Sequence, residues 1–148
     1  MAEKELFLKD LQVVVCEIES ELYGIPISKV SEIITISQIT PIPGAKPEMK
    51  GLVNLRGVII PVFHLGMCLR ILGDKEFLNG LIVIIYAEHE KVGFIVDNVR
   101  EVAMFHASEL EQSPNFFGEK KDDYVWCIAK QNEELVTLID LERVLAAS

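Results

Sequence analysis

His64 and Cys68 are the most reactive side chains that stand close together in this chain, four positions apart. One helical turn of separation could set an imidazole beside a thiol for nucleophilic catalysis, or supply two ligands to a metal. Either chemistry needs a third group, and the neighbouring sequence offers no further ligand and no orienting carboxylate. The spacing is therefore expected to be that of ordinary core or surface residues, with neither turnover nor bound metal. Cys16 and Cys127 are remote from Cys68, no Cys-x-x-Cys pair exists, and each cysteine has apolar neighbours, so all three read as reduced, buried thiols. His89 and His106 fall in a turn and at a strand end. The glycines at 44, 51 and 57 open no long helix and no Gly-Lys-Ser/Thr follows them, which excludes a phosphate loop. Glu17, Glu19 and Glu21, like Glu109 and Glu111, alternate as solvent-facing positions do.

Arg56 is the more unusual group, because it interrupts the apolar stretch from Gly51 to Val62. A guanidinium between two buried strands is costly unless paired, and it matches a carboxylate well. Glu32 is the expected partner, in a desolvated pair; the alternative is a turn arginine that simply faces water.

The elements that would position these groups repeat. Residues 12–36 lie over residues 81–105 at a constant offset of 69 with six identities in 25 pairs, among them Gly24 with Gly93, Val30 with Val99 and Glu32 with Glu101. Pro61 to Leu65 fall on Thr137 to Leu141 once a seven-residue insertion is allowed. Two units are expected, about 12–72 and 81–146, within one domain spanning 11–148, preceded by an N-terminal extension at 1–10. In the first unit, Leu11 to Ile18, Leu22 to Ile27, Ile33 to Ile42, Leu52 to Leu55 and Val58 to Phe63 are short Val/Ile-rich runs that read as strands. Glu19-Ser20-Glu21, Arg56-Gly57 and His89-Glu90 read as hairpin turns. Ser28 and Asp97 are positioned to cap a single helical turn after the second strand of each unit. Leu65, Cys68, Leu69 and Leu72 are spaced for a short closing helix, as is Leu141 to Ala147. The fold expected is mainly β: five strands per unit, each unit curling into a small barrel, the two sharing a hydrophobic core, with terminal strands open to exchange between units.

Charge excludes some functions. With 14 Lys plus Arg against 23 Asp plus Glu, the net charge of −9 leaves no basic face for a nucleic-acid backbone. No segment reaches the ~18 apolar residues of a membrane span, and Met1 to Asp10 mixes charges unlike a secretory signal, so a cytoplasmic protein is expected.

Several strings then carry a resemblance. Tyr23 to Ile27, Val30 to Ile33, Ile39-Thr40-Pro41-Ile42-Pro43, Lys50 to Gly57 with its Asn-Leu-Arg-Gly, and Ile60-Pro61-Val62 resemble the CheW family of bacterial chemotaxis coupling proteins over residues 11 to 146. The chain departs from that family's usual pattern at His64, Gly66, Glu111 and Cys127. The resemblance implies a pair of five-stranded SH3-like barrels and a non-enzymatic adaptor without cofactor, linking transmembrane chemoreceptors to the histidine kinase CheA at membrane-associated arrays. It implies a receptor groove between barrels drawing on Val30, Gly51, Arg56, Gly93, Val99 and Val102. It also implies a kinase contact through Ile39, Thr40, Ile42 and Ile59, with Ile39, Ile42 and Ile59 turned outward, and a second kinase contact at Phe116. The partners are the kinase's CheW-like regulatory domain and the receptor's helical tip, with the protein itself a monomer in isolation. Two other readings are a regulatory module of a larger kinase or of a receiver-fused coupling protein, against which the length and the start Met speak, and a small β-barrel enzyme using His64 and Cys68.

Overall fold

Val, Ile and Leu dominate the segments that become strands, and the structure is mainly β. A computed structural model describes residues 10–36, 38–71, 79–111 and 124–147. The strands are β1 (Leu11–Ile18), β2 (Glu21–Pro26), β3 (Val30–Thr35), β4 (Met49–Leu55), β5 (Val58–His64), β6 (Leu81–Ala87), β7 (Glu90–Val96), β8 (Asn98–Phe105), β9 (Leu110–Glu111), β10 (Val125–Gln131) and β11 (Glu134–Ile139). The helices are α1 (Leu65–Cys68) and α2 (Leu141–Ala147), with single 3-10 turns at Ile27–Lys29 and Ala107–Glu109.

The strands form two sheets, of order β8-β1-β2-β11-β10-β9 and β3-β6-β7-β5-β4, and each sheet belongs to one of two compact units. Unit 2 runs from Ser28 to Asn98; unit 1 joins the chain up to Ile27 with the chain from Val99 onward. The boundaries of the sequence repeat and of these units therefore differ. The repeat suggests that each copy curls on itself with terminal strands open to exchange, and in the structure whole hairpins are exchanged: the β1–β2 hairpin of the first copy pairs with β11 of the second, and the β6–β7 hairpin of the second pairs with β5 of the first. Both of these junctions are parallel, Tyr23 and Gly24 against Thr137 and Leu138, and Val62 to His64 against Gly93 to Ile95. Parallel neighbours require a crossover rather than a tight turn, which is why sequence neighbours do not supply them.

Each unit has an apolar cluster of its own. In unit 1, Val13, Val15, Phe105, Cys127, Ala129, Val136 and Leu138 pack together; in unit 2, Val53, Ile60, Val62, Ile82, Ile84 and Ile95 do. Ile82, Val83, Ile84 and Ile85 on β6 are all buried. A run covered on both faces loses the polar alternation of a half-exposed strand. Burying one such side chain contributes about 1.5–3 kcal/mol, so this strand alone accounts for much of the sheet's cohesion.

Hairpin geometry is tighter than glycine content suggests. Glu19 and Ser20 (φ 50° and 69°) and Asn132 and Glu133 (52° and 67°) take the left-handed conformation at both central positions of two-residue turns, as Arg56 and Gly57 do (51° and 85°). Two left-handed central residues give the turn whose twist matches that of the strands, and two of these three turns are made without glycine. The long run from Ile33 to Ile42 does not stay a strand: β3 stops at Thr35, and after it only Thr40 pairs, with Leu52. Pro41 and Pro43 lack the N–H that a continuing ladder needs.

Candidate protein-interaction surface

The β4–β5 hairpin fixes Arg56. Asn54 Oδ1 accepts a hydrogen bond from Gly57 N at 2.9 Å, which closes the tip, and the left-handed backbone at Arg56 throws its side chain off the strand plane. Arg56 Nη2 donates to Glu32 Oε2 at 2.5 Å. Glu32 stands on β3, where the register against β6 shifts between Val30 and Glu32, a bulge that re-aims the side chain following it. In the sheet order β3 is one edge and β4 the other, so the bond joins the tip of one edge hairpin to the opposite edge strand. A flat sheet cannot do this; the five strands are curled.

The pair differs from the desolvated one expected. Arg56 is 68% exposed at its side chain and Glu32 26%, because a two-residue turn projects beyond the strands into solvent. Such a pair contributes ~0 to 1 kcal/mol, and several of the guanidinium's five donors remain turned to water.

Beside this tip the structure leaves Val58 and Ile59 exposed, Ile59 at 56%; Ile33 next to Glu32 is exposed too, and further from the tip along β4 Ile42 is exposed and Thr40 open to solvent. Ile39 departs from the outward placement expected of it: it is half-buried and packs on the Val53–Ile60 cluster, since the Thr40 bridge to Leu52 presses this segment onto β4. Val30 is half-buried. Gly51 and Gly93 are buried and act through the backbone: at Gly51 (φ +146°) a Cβ would lie 2.2 Å from Thr40 O, and at Gly93 it would lie 2.8 Å from Ile82 Cγ2. In unit 1, Val102 is exposed on β8 and Val99 half-exposed near its start. Phe116 lies outside the described residues.

His64 proves to be a structural residue. It is 3% exposed, and its Nδ1 accepts a hydrogen bond from Met67 N at 3.3 Å, capping α1. Its repeat counterpart Asp140 caps α2 in the same way, accepting from Glu142 N at 3.0 Å and Arg143 N at 3.3 Å. The imidazole thus stands in for an N-cap carboxylate. Cys16 and Cys127 are buried, and burial pushes each thiol up to about 12, so neither is a nucleophile at neutral pH. Among the described residues no group of three or more His, Cys, Asp or Glu side chains could hold a metal ion.

One arrangement was not legible in the sequence. Arg100 on β8 donates from Nη1 to Glu134 Oε2 at 2.8 Å, at the tip of the β10–β11 hairpin, and Gln131 Nε2 donates to Met104 O at 3.2 Å. The hydrogen bond to Glu134 and its charge hold the Arg100 proton more tightly. The repeat aligns Glu101, not Arg100, with Glu32, so nothing in the alignment pointed to this pair.

Short antiparallel strands, hairpin tips held by ion pairs and exposed aliphatic side chains beside them define a binding module of the adaptor class. Residues 12–148 match the family described as CheW-like domain. The chain is 33% identical over 135 residues to the chemotaxis protein CheW of Bacillus subtilis, covering 90% of this chain and 86% of that one. It is 30% identical over 128 residues to the chemotaxis protein CheW of Klebsiella aerogenes, covering 86% and 77%. The crystal structure of the scaffolding protein TtCheW from Thermoanaerobacter tengcongensis superimposes with a TM-score of 0.79 at 31% identity, over 90% of this chain and 86% of that one. The chain belongs to the CheW-like domain family, a family of chemotaxis adaptors and not of enzymes. No helix among the described residues is long and apolar enough to cross a membrane.

Proposed function

We propose that this protein is a cytoplasmic adaptor that joins chemoreceptors to the histidine kinase CheA, recruited to receptor arrays by those contacts, and that residues 11–148 act as one domain in doing so. The observation that carries this reading is the exposed aliphatic surface of Val58 and Ile59 beside the Arg56–Glu32 pair in a CheW-like fold. Desolvating branched aliphatic side chains next to an oriented guanidinium suits a protein partner: the apolar centre supplies affinity and the charge supplies register. The kinase's regulatory domain would take Ile59, Ile42 and Thr40, with Ile39 supporting them from beneath. The receptor's helical tip would be met by Arg56 and Val30 of unit 2 and by Val99 and Val102 of unit 1. Gly51 and Gly93 would serve that contact indirectly, by setting the backbone. Phe116 is retained as the second kinase contact.

The test is co-purification with CheA and with a receptor tip fragment, each separately. Ile59→Glu should abolish kinase capture at unchanged melting temperature, because a carboxylate placed in a desolvated interface sheds its water without a partner. Capture of both partners at wild-type strength by Ile59→Glu and by Arg56→Ala would falsify the assignment.

A further inference from the structure

Asn79 is followed by Gly80, and no other asparagine of the chain precedes a glycine. An asparagine side chain is attacked by the main-chain nitrogen of the next residue most readily when that residue has no side chain to obstruct the approach. Asn79 is exposed and stands outside any strand or helix, so no ladder holds it. Leu81 is the first residue of β6, which puts the Gly80 nitrogen ahead of the ladder as well. The other described asparagines precede larger residues, Asn54 before Leu55, Asn98 before Val99 and Asn132 before Glu133, and the Asn54 side chain is also tied to Gly57 N. Gly80 itself is fixed by the fold. Its φ of +118° is one that L side chains rarely adopt, and a Cβ there would lie 2.0 Å from Val96 O and 3.0 Å from Asp97 O. The sheet thus demands the very residue that makes Asn79 vulnerable.

From this we infer that Asn79 is a site of spontaneous deamidation and that one of its two products disturbs the start of β6. The Gly80 nitrogen loses its proton and bonds to Asn79 Cγ, the Cγ–Nδ2 bond breaks, and ammonia leaves, closing a succinimide ring. Water, the only co-reactant, then opens it. Where the bond between Cγ and the Gly80 nitrogen breaks, aspartate results; where the bond between the main-chain carbonyl carbon of residue 79 and that nitrogen breaks, isoaspartate results, with an extra carbon in the main chain. Both products add a negative charge to the −9 of the chain. Only isoaspartate changes the backbone. Leu81 is the register partner of both Thr35 on β3 and Val96 on β7, and Gly80 sits tight against the Val96 carbonyl. A longer main chain at this point displaces Gly80 and frays both ladders from that end.

Incubation of the full chain in mildly alkaline buffer, followed by tryptic mass spectrometry, tests this with no receptor or kinase present and so independently of the adaptor reading. Asn79 carries the only amide side chain in the tryptic peptide from Glu76 to Lys91, so a mass gain there equal to exchange of NH2 for OH reports this residue alone. The gain should grow with time and with pH, and the product should accept a methyl group from a protein isoaspartate methyltransferase. Asn79→Gln, whose longer side chain disfavours ring closure, should lose both signals and melt like the wild type, because position 79 is exposed. Asn79→Asp separates the charge from the backbone change: the aged, isoaspartyl protein should lose amide-exchange protection at the start of β6, and Asn79→Asp should keep it. If the peptide stays unmodified in the folded chain under conditions that convert it once released, the site is overturned. Equal protection in the aged protein and in Asn79→Asp overturns the effect on β6.

Discussion

Gly24 and Gly93 are the same residue of the repeat, and each is where a parallel strand meets a hairpin: Leu138 is the register partner of Gly24, and Val62 that of Gly93. A Cβ at Gly24 would lie 2.3 Å from Leu138 Cδ2 and 2.5 Å from Val13 Cγ1; at Gly93 it would lie 2.8 Å from Ile82 Cγ2 and 3.4 Å from Val62 Cγ2. Two sheets built from exchanged strands thus use one device twice, a missing side chain that lets the crossing strand approach.

Gly24→Ala should therefore destabilise by ~1–3 kcal/mol, the usual cost of an extra methyl in a packed core, and Gly93→Ala by less, since only one of its neighbours is closer than contact distance. Urea unfolding of the two variants gives the comparison. Equal costs would mean that the closest atoms at Gly24 move aside freely.

Gly51→Ala should be worse than either. Its Cβ would meet the Thr40 carbonyl, which is backbone and cannot rotate away, and the φ of +146° is one an L side chain rarely adopts. A loss of about 3 kcal/mol or more is expected, together with loss of the Thr40–Leu52 pairing in amide exchange. If Gly51→Ala instead melts like the wild type and loses only receptor binding, Gly51 is a contact residue.

For Glu32 and Arg56 a double-mutant cycle should yield a coupling of ~0–1 kcal/mol, falling with salt, because Arg56 is 68% exposed. A coupling of ~3 kcal/mol would require a desolvated pair.

Ile39→Glu and Ile59→Glu should separate. Ile39 packs on the unit 2 cluster, so a carboxylate there should cost stability; Ile59 is exposed, and its replacement should change the unfolding free energy by less than about 0.5 kcal/mol. Circular-dichroism melts distinguish them before any binding assay.

The thiols set a pH dependence. Cys16 and Cys127 are raised from 9.0 to about 12 by burial, so between those values the unfolded chain has ionised thiols where the folded one keeps its protons. The unfolded state then binds fewer protons, and stability falls as pH climbs from about 9 towards 12. Tyr23, raised from 10.0 to about 12 by burial and by Tyr124 and Glu21, acts in the same direction. At neutral pH a thiol reagent should react first with the partly exposed Cys68 and reach Cys16 and Cys127 only on unfolding. Substituting Ser for Cys16 and for Cys127 should flatten part of the alkaline decline.

The sequence by itself determined most of the strands, though not where β3 starts and stops, together with the closing helix from Leu141 to Ala147 and the repeat, because apolar spacing, turn residues and self-similarity are local and one-dimensional. The Asn-Leu-Arg-Gly string and its companions likewise carried the family. What tertiary structure alone decided is which strands pair and what is exposed. The parallel junctions at Gly24 and Gly93 unite strands from different copies of the repeat, and no local pattern encodes a partner more than 30 residues away. Ile39 and Ile59 look alike in sequence, yet one packs on the core and the other faces water, because the Thr40 bridge presses only the first onto β4. The sequence reads His64 as an ordinary core or surface residue; only its burial and its bond to Met67 show it to be a helix cap. The Glu32–Arg56 partnership follows from charge type, but its exposure, and the reversed Arg100–Glu134 pair, depend on how each sheet curls its edge strand towards a hairpin tip. Curl is a sum of small twists over five or six strands, and that sum exists only in the assembled sheet.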